Sequence, residues 1–510
     1  MGKRLFLCPV HSSEFLERPA FQDFLRRIEA GFGARWEALL SVRAERLAAP
    51  HPARQAIRAG QWQVAPLPAP LQKRYVEITG PADPKMIINA LNSRADGFMA
   101  DLEDAFTPHP AKLLTAYEAL YNAVRGQLRY ATEGKTYEQD PTSPTFLHVR
   151  PRGLHLVEKR LLSRPFSGAF LDAAVYLFYN AEALLERGRF PASLYLAKLE
   201  HADEARLWQE FLTFCEGYLG LPLGTIRVTV LIETLGAALQ TEEILYELRD
   251  RITALNAGRW DYLFSIVKHL LRTRGPLLPE RHLLTMKEPF LEAYALEIVR
   301  SAHRRGALAI GGMSAFIPSR KDPALNEKAL QAVKADKELE IERGFDGAWV
   351  AHPDLVPVIQ ETFANAFLRA PNQLHRIPKE VSAEQITTFP ALGERPLSSE
   401  ALYRLIEVAL LYLESWLQGQ GAAAIHHLME DAATAEIART QLFQWLRATP
   451  PPRTEDGQEV SVFLYESFIR QAQKAHSHLS SQAVRLLQDL LYAPDLIPFF
   501  TTYAYERYLA

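Results

Sequence analysis

The sequence predicts a parallel α/β protein, a (β/α)8 TIM barrel flanked by helical segments. Between residue 76 and about 356, eight short β-branched or apolar runs alternate with helical stretches, the pattern of a parallel sheet with crossover helices. Eight strands over about 280 residues is what a closed barrel requires. A doubly wound open sheet is the main rival, but no Gly-x-Gly-x-x-Gly follows the first strand, so a dinucleotide site is not indicated.

Along the chain, residues 1–75 read as helical and then irregular. Glu14 to Leu47 is rich in Leu, Arg, Glu and Ala, and the closely spaced prolines of 64–71 exclude helix. Strands are expected at Val76–Thr79, Gly97–Leu102, Phe146–Arg150, Leu194–Leu199, Val228–Glu233, a run near 252–266, Ala307–Gly312 and Gly347–His352. The sixth is ambiguous. Local propensity favours Tyr262–Val267, whereas a barrel site puts the strand at Ile252–Asn256 and leaves Gly258-Arg259-Trp260-Asp261 as the loop after it. We adopt the second, because functional residues sit after barrel strands. Residues 357–398, with Pro371, Pro378, Pro390 and Pro396, read as a connector. The segment 399–510 reads as helical: Leu402, Leu405, Ile406, Ala409, Tyr412, Leu413 and Trp416 share one face at helical spacing. Gly419 and Gly421 end that helix, and three prolines from Pro450 break the next.

Composition narrows the function. The 510 residues are 48% hydrophobic and 23% charged, with a net charge of −3, so no basic field invites nucleic acid or an anionic membrane. Cys8 and Cys215 are the only cysteines, which argues against a disulfide framework and for a reducing compartment. No apolar run reaches the roughly 18 residues that span a bilayer. Pro9 and His11 interrupt the N-terminal apolar patch too soon for a signal peptide, and Tyr508-Leu509-Ala510 is not a peroxisomal ending. The cytoplasm is the expected location.

The chemistry lies in acids that follow apolar segments. An ionised carboxylate is costly to bury unless a cation or hydrogen bonds compensate it, and Glu233, Asp261 and Asp431 each follow a segment that reads as buried. Glu233 closes an apolar strand, at the rim where a barrel builds its active site; it could equally be an acidic cap on the next helix. In Leu255-Asn-Ala-Gly-Arg-Trp-Asp261, Gly258 permits a tight turn and Asp261 opens a helix whose amides suit an anion. Two carboxylates with substrate oxygens and water suit Mg²⁺, which rarely has an all-protein cage. Arg150 and Arg152 end another strand and read either as a substrate clamp or as a rim salt bridge. Asp101, Glu103 and Asp104 follow a fourth strand; with Glu233 and Asp261 they would bring excess negative charge to one ion, so they read as a second shell. Lys198 could neutralise them or be a solvated rim lysine. Asp431 precedes an Ala-rich helix and reads as its N-cap. It matters to a barrel site only if the helical domain closes over the mouth. The adjacent His426 and His427 do not share a helix face and do not suit zinc.

Together these segments resemble malate synthase of the shorter A type, from about residue 74 to 450. The resemblance rests on Val-Glu-Ile-Thr-Gly-Pro at 76–81, Met-Ala-Asp-Leu-Glu-Asp at 99–104, Arg-Pro-Arg-Gly-Leu-His at 150–155 and Gly-Thr-Ile-Arg-Val-Thr-Val-Leu-Ile-Glu-Thr at 224–234. It continues through Leu-Asn-Ala-Gly-Arg-Trp-Asp-Tyr-Leu-Phe-Ser at 255–265, Gly-Gly-Met-Ser-Ala-Phe-Ile-Pro-Ser at 311–319, Trp-Val-Ala-His-Pro at 349–353 and Leu-Met-Glu-Asp-Ala-Ala-Thr-Ala-Glu-Ile at 428–437.

The resemblance implies a barrel (76–356) with an N-terminal helical clasp (1–75), a connector (357–398) and a C-terminal all-helical plug (399–510). It implies Mg²⁺-dependent condensation of acetyl-CoA with glyoxylate, then hydrolysis to malate and CoA, as in the glyoxylate bypass. By motif position the metal ligands fall on Glu233 and Asp261, the catalytic arginine on Arg150 and the catalytic aspartate on Asp431. Gly258, Trp260 and Asp261 would join Arg150 in binding substrate, with amides near Trp260 and Asp261 on the glyoxylate carboxylate. A homo-oligomer stays open.

The chain departs from the family pattern in several places. Arg251, Ala254 and Ala257 stand where the signature usually has His, Gly and Cys; Ala423-Ala424-Ile425 replaces Val-Pro-Ile; Ala197 replaces Pro and Asp354 replaces Gly. None removes a catalytic group. The rival readings are a malyl-CoA or citramalyl-CoA lyase, which would not release free CoA by hydrolysis, and a catalytically silent CoA-binding paralogue.

Overall fold

Eight parallel strands close into a barrel in the computed structural model, which describes residues 14–43, 53–186, 192–318, 323–368, 370–394 and 397–509. The expectations for Cys8, Pro9, His11, residues 44–47, Ser319, Pro396 and Ala510 fall outside the described residues. In chain order the strands are β1 (Val76–Pro81), β2 (Gly97–Asp101), β3 (Phe146–Arg150), β4 (Ser193–Leu196), β5 (Arg227–Ile232), β6 (Ile252–Ala257), β7 (Leu308–Ser314) and β8 (Gly347–Val350). Each pairs with the next, and β1 pairs with β8 to close the sheet. The expected (β/α)8 barrel is therefore present.

The ambiguous sixth strand resolves at Ile252–Ala257, and Tyr262–Val267 lies within the helix Arg259–Thr273. A short apolar run suits a buried helix face as well as a strand. Here Tyr262, Leu263, Ile266, Val267 and Leu270 are buried along the helix.

The barrel interior holds two layers of different chemistry. Met99, Tyr195, Leu231, Ala254, Leu308, Ile310 and Trp349 form an apolar cluster. At its edge Arg74 donates to Glu77 at 2.5 Å and to Tyr195 at 2.7 Å, and Trp349 Nε1 reaches Glu77 at 3.3 Å. This buried ion pair is satisfied on both sides, as such a pair must be to be tolerated. Two of the three departures from the family signature lie in this scaffold, and the third, Ala257, lines the cavity at the strand ends. Arg251, just before β6, is buried and donates to Glu216 at 3.1 Å and to Thr213 at 2.9 Å. Ala254 belongs to the interior cluster, and Ala257 is buried at the end of β6.

Outside the barrel, the N-terminal helix Pro19–Ser41 lays Phe21, Phe24, Ile28, Phe32 and Trp36 against the barrel helices. Trp36 Nε1 donates to the Leu154 carbonyl at 2.8 Å. A second core, running from Leu392 to Leu509 and centred on Trp416, Trp445 and Tyr465, is built by five helices: Ser399–Leu417, Ala432–Leu446, Val462–Ala475, Ser481–Tyr492 and Phe500–Arg507. Four start on a side chain that accepts a first-turn amide, from Ser398, Asp431, Ser461 and Ser480. Among the described residues no helix is long and apolar enough to cross a membrane.

Candidate active site

Acids and cations gather where the strands end. Asp101 ends β2, and its carboxylate accepts the amides of Glu103 at 2.8 Å and Ala105 at 2.9 Å. That folds residues 102–105 into a tight loop, and Glu103 and Asp104 are buried on it. Arg150 ends β3 and donates to Glu103 and Asp104, both at 2.6 Å. Lys198 follows β4 with a left-handed backbone (φ 52°). Its amide donates to Glu233 at 2.6 Å, while its ammonium sits 2.9 Å from both Asp104 oxygens, 2.9 Å from Asp261 and 3.0 Å from Glu103. Lys198 is therefore a buried counter-ion rather than a solvated rim lysine. Arg152, the other half of the Arg-Pro-Arg pair, turns away to Asp172 and Glu158 and braces the barrel wall.

Asp104, Glu233 and Asp261 each bring a carboxylate oxygen within 4.8 Å of the other two, a grouping that could hold a metal ion. The sequence reading placed Asp104 with Asp101 and Glu103 as support; the folded loop puts it beside Glu233 and Asp261. Spacing alone could not show this, because the loop's shape depends on the hydrogen bonds of Asp101. One observation favours a cation here: Asp261 Oδ1 is buried with no hydrogen-bond partner. Moreover, five buried carboxylates (Asp101, Glu103, Asp104, Glu233, Asp261) share two buried cations, Arg150 and Lys198. Protonation reflects that imbalance. Burial would raise Asp104, but Lys198 and Arg150 outweigh it and hold the carboxyl below its usual range. Burial and the Asp104 charge push Asp261 and Glu103 well up.

The C-terminal domain reaches this rim through one hairpin and one helix start. Strands Ala423–Ile425 and Leu428–Glu430 form the hairpin, with His426 and His427 in left-handed conformations at its turn. It pairs with the segment after β7: Met429 N–H donates to Ala315 O at 2.8 Å and Ile317 N–H to His427 O at 2.9 Å. Asp431 then caps the helix Ala432–Leu446 in a capping box with Thr434. Ala432 N–H donates to the Asp104 carbonyl at 3.1 Å, and Tyr412 Oη reaches the same carbonyl at 3.2 Å. The domain therefore closes over the barrel mouth, the condition on which Asp431 depended.

The space enclosed is about 470 Å³, lined by Asp104, Arg150, Glu233, Trp260, Asp261 and Asp431 among others. Gly258 is needed at its edge, since an added Cβ would lie 2.7 Å from Glu233 Cβ. Burial, then the charge of Asp104, push the Asp431 carboxyl up to about 7. Sequence reasoning missed Arg281. It lies in a segment without periodicity, yet it is buried, donates to Thr434 O at 2.9 Å and comes within 3.6 Å of Glu430.

A closed barrel whose catalytic rim carries a cation-ready acid cluster, under a carboxyl supplied by another domain, defines this chain as a barrel enzyme. The family described as "Malate synthase, TIM barrel domain" matches residues 146–389, and "Malate synthase, C-terminal" matches 398–508. The malate synthase of Streptomyces clavuligerus is 46% identical over 444 residues, 83% of this chain and 82% of that protein. Malate synthase A of Escherichia coli K12 is 41% identical over 466 residues, 88% and 86% of the two chains. A solved Haloferax volcanii malate synthase, a pyruvate/acetyl-CoA ternary complex, is 16% identical with a TM-score of 0.49, covering 82% of this chain and 98% of that one. The chain belongs to the malate synthase family, acyltransferases that condense acetyl-CoA with glyoxylate.

Proposed function

We propose that the condensation runs on four residues, Arg150, Glu233, Asp261 and Asp431, with Mg²⁺ held by Glu233 and Asp261 and with Asp104 beside them. The observation that carries this reading is the bond from Ala432 N–H to the Asp104 carbonyl, which ties the residue after Asp431 to the acid cluster across the cavity. When bound, the ion supplies Lewis-acid polarisation of the glyoxylate aldehyde.

The methyl of an acetyl thioester is a very weak acid, so its proton needs a placed base and its enolate oxygen a placed cation. Asp431, with a carboxyl pushed up to about 7, is the base. Arg150 stabilises the enolate oxygen; its Nε–H is buried with no partner in the protein. The first-turn amides of the helix at Arg259–Asp261 have no intrahelical acceptors and receive the glyoxylate carboxylate. The enolate carbon attacks the aldehyde carbon, and water then cleaves the malyl thioester to malate and CoA. Neither step uses a cysteine or serine nucleophile. The one cysteine among the described residues, Cys215, is buried and free, which suits the reducing cytoplasm as the working location.

The test is thiol release from acetyl-CoA with glyoxylate, pyruvate or 2-oxobutyrate. Free CoA thiol and malate from glyoxylate are expected. Accumulation of a malyl thioester without thiol would instead support the lyase reading.

A further inference from the structure

The cavity has an outer wall that the four residues leave unused. There the Trp260 indole meets two guanidinium groups, with Arg259 Cζ 4.1 Å and Arg281 Cζ 5.4 Å from its ring centroid. The two arginines differ in their partners. Arg281 is held by Thr434 O at 2.9 Å and by Glu430 at 3.6 Å, although its Nε is buried without a partner. Arg259 has no hydrogen bond or ion pair among the described residues, yet it lines the cavity. The acids on that wall pair directly with other groups, and the charges of Asp336 and Glu340 act on Arg259 only at a distance, without an ion-pair contact. Lys337 lies 3.5 Å from Asp336 and 3.0 Å from Glu340, and Glu340 also accepts the Gly312 amide at 3.0 Å. Arg343, the other cation there, is within 3.6 Å of Glu292.

A spare cation at this place has a use. An anionic 2-oxo acid entering the cavity meets a rim where five carboxylates share two cations, and like charge at close range opposes it. A guanidinium packed over an indole, 4.1 Å from its centroid, is restrained in position and can fork onto a carboxylate. We propose that Arg259 is a specificity-determining residue that draws the carboxylate of the 2-oxo acid to the cavity and holds it beside the helix N-terminus. This rests on the reading of glyoxylate as substrate. It adds a side chain to a binding role otherwise left to amides.

The test compares the wild type with Arg259→Gln and Arg259→Lys in thiol-release kinetics at low and high salt, and in calorimetry with Mg²⁺ and with glyoxylate. Loss of one charge-assisted contact predicts a roughly 10- to 100-fold rise in KM for glyoxylate in Arg259→Gln. The rise in KM for acetyl-CoA and the fall in kcat should be far smaller, and Mg²⁺ affinity should be unchanged. Arg259→Lys should recover much of the loss. Added salt should weaken kcat/KM for glyoxylate in the wild type and do so less in Arg259→Gln. A rise in the acetyl-CoA KM instead would assign Arg259 to the other substrate and overturn the proposal. A parallel loss of Mg²⁺ binding would mark Arg259 as a brace for Asp261 and overturn it too. If the wild type fails to turn over glyoxylate, the parent reading falls. Arg259 is then judged by calorimetry, where equal glyoxylate affinities in wild type and Arg259→Gln would refute it.

Discussion

Replacing Asp431 with asparagine separates the chemistry of that residue from its structural work. The structural work survives: an asparagine oxygen can still accept the Thr434 amide that Asp431 now caps at 3.4 Å. The tie from Ala432 to Asp104 is backbone to backbone. The chemistry does not survive, because an amide cannot take the methyl proton. kcat should fall by at least ~10²-fold, the low end for losing a general base. In the wild type, kcat/KM should decline as pH falls through an acid limb at or below about 7. A bound cation offsets the Asp104 charge and shifts that limb downward.

The same substitution makes a stability prediction. The Asp431 carboxyl is raised from 3.8 to about 7 in the folded protein, so between those values the folded state binds more protons than the unfolded one. Stability therefore falls as pH rises through that window, and the full cost is present above it. A shift of that size corresponds to ~4 kcal/mol at most. Partial exposure and the share carried by Asp104 reduce this to roughly 2–4 kcal/mol. In urea unfolding of the metal-free protein, Asp431→Asn should be more stable than wild type at pH 8, and the two should converge near pH 4. Near-normal turnover in the folded variant would refute the base assignment, and an equal stability difference at both pH values would refute the electrostatic argument.

Three further expectations concern the ion and the closure. Exhaustive chelation should abolish thiol release and Mg²⁺ should restore it; full activity after chelation would remove the metal from the reading. Gly258→Ala puts a Cβ 2.7 Å from Glu233 Cβ and 3.0 Å from its Oε2, so calorimetry should show Mg²⁺ affinity falling at least ~10-fold, the scale for disturbing a ligand's setting; unchanged affinity would show that Glu233 is not a ligand. Gly421→Ala brings a Cβ onto the backbone of Ala105 and Phe106, where the C-terminal domain meets the acidic loop. Its overpacking should cost ~1–3 kcal/mol in urea unfolding and lower kcat by loosening Asp431, whereas unchanged kcat would show that this approach does not set the base.

Parts of this architecture were legible in the sequence for definite reasons. Barrel strands buried on both faces carry apolar runs, so β5 and β8 stand out. Strand-end acids stand out because burial makes them expensive. The sixth strand needed the barrel argument, since Tyr262–Val267 looks like a strand in isolation and packs as a helix. The inward turn of Asp104 and the role of Lys198 were not legible. The first depends on the hydrogen bonds of Asp101 and the second on a left-handed backbone at a non-glycine residue. Arg281 was invisible because its place is fixed by Gln441, which accepts its amide at 3.0 Å from a helix 160 residues away.

On the proposed mechanism, the division of labour between domains has an electrostatic reason. A base for so weak a carbon acid works best with a pKa near the working pH. Asp104, the rim carboxyl tied to the residue after Asp431, is poorly suited: Lys198 and Arg150 outweigh its burial and hold it below its usual range, which favours binding a cation over accepting a proton. Asp431 sits against the same cluster but has neither arginine nor lysine within salt-bridge distance among the described residues. What it meets most strongly is burial and the negative charge of Asp104, and both raise it. The two carboxyls are thus driven apart by environment, one toward holding an ion and one toward taking a proton, which is how acid and base roles separate at a single pH. Placing the second carboxyl on another domain keeps it out of salt-bridge distance of Arg150 and Lys198, whose charges lower it less than burial and Asp104 raise it. The glycine contact at Gly421 and the Ala432–Asp104 bond then bring it close enough to act.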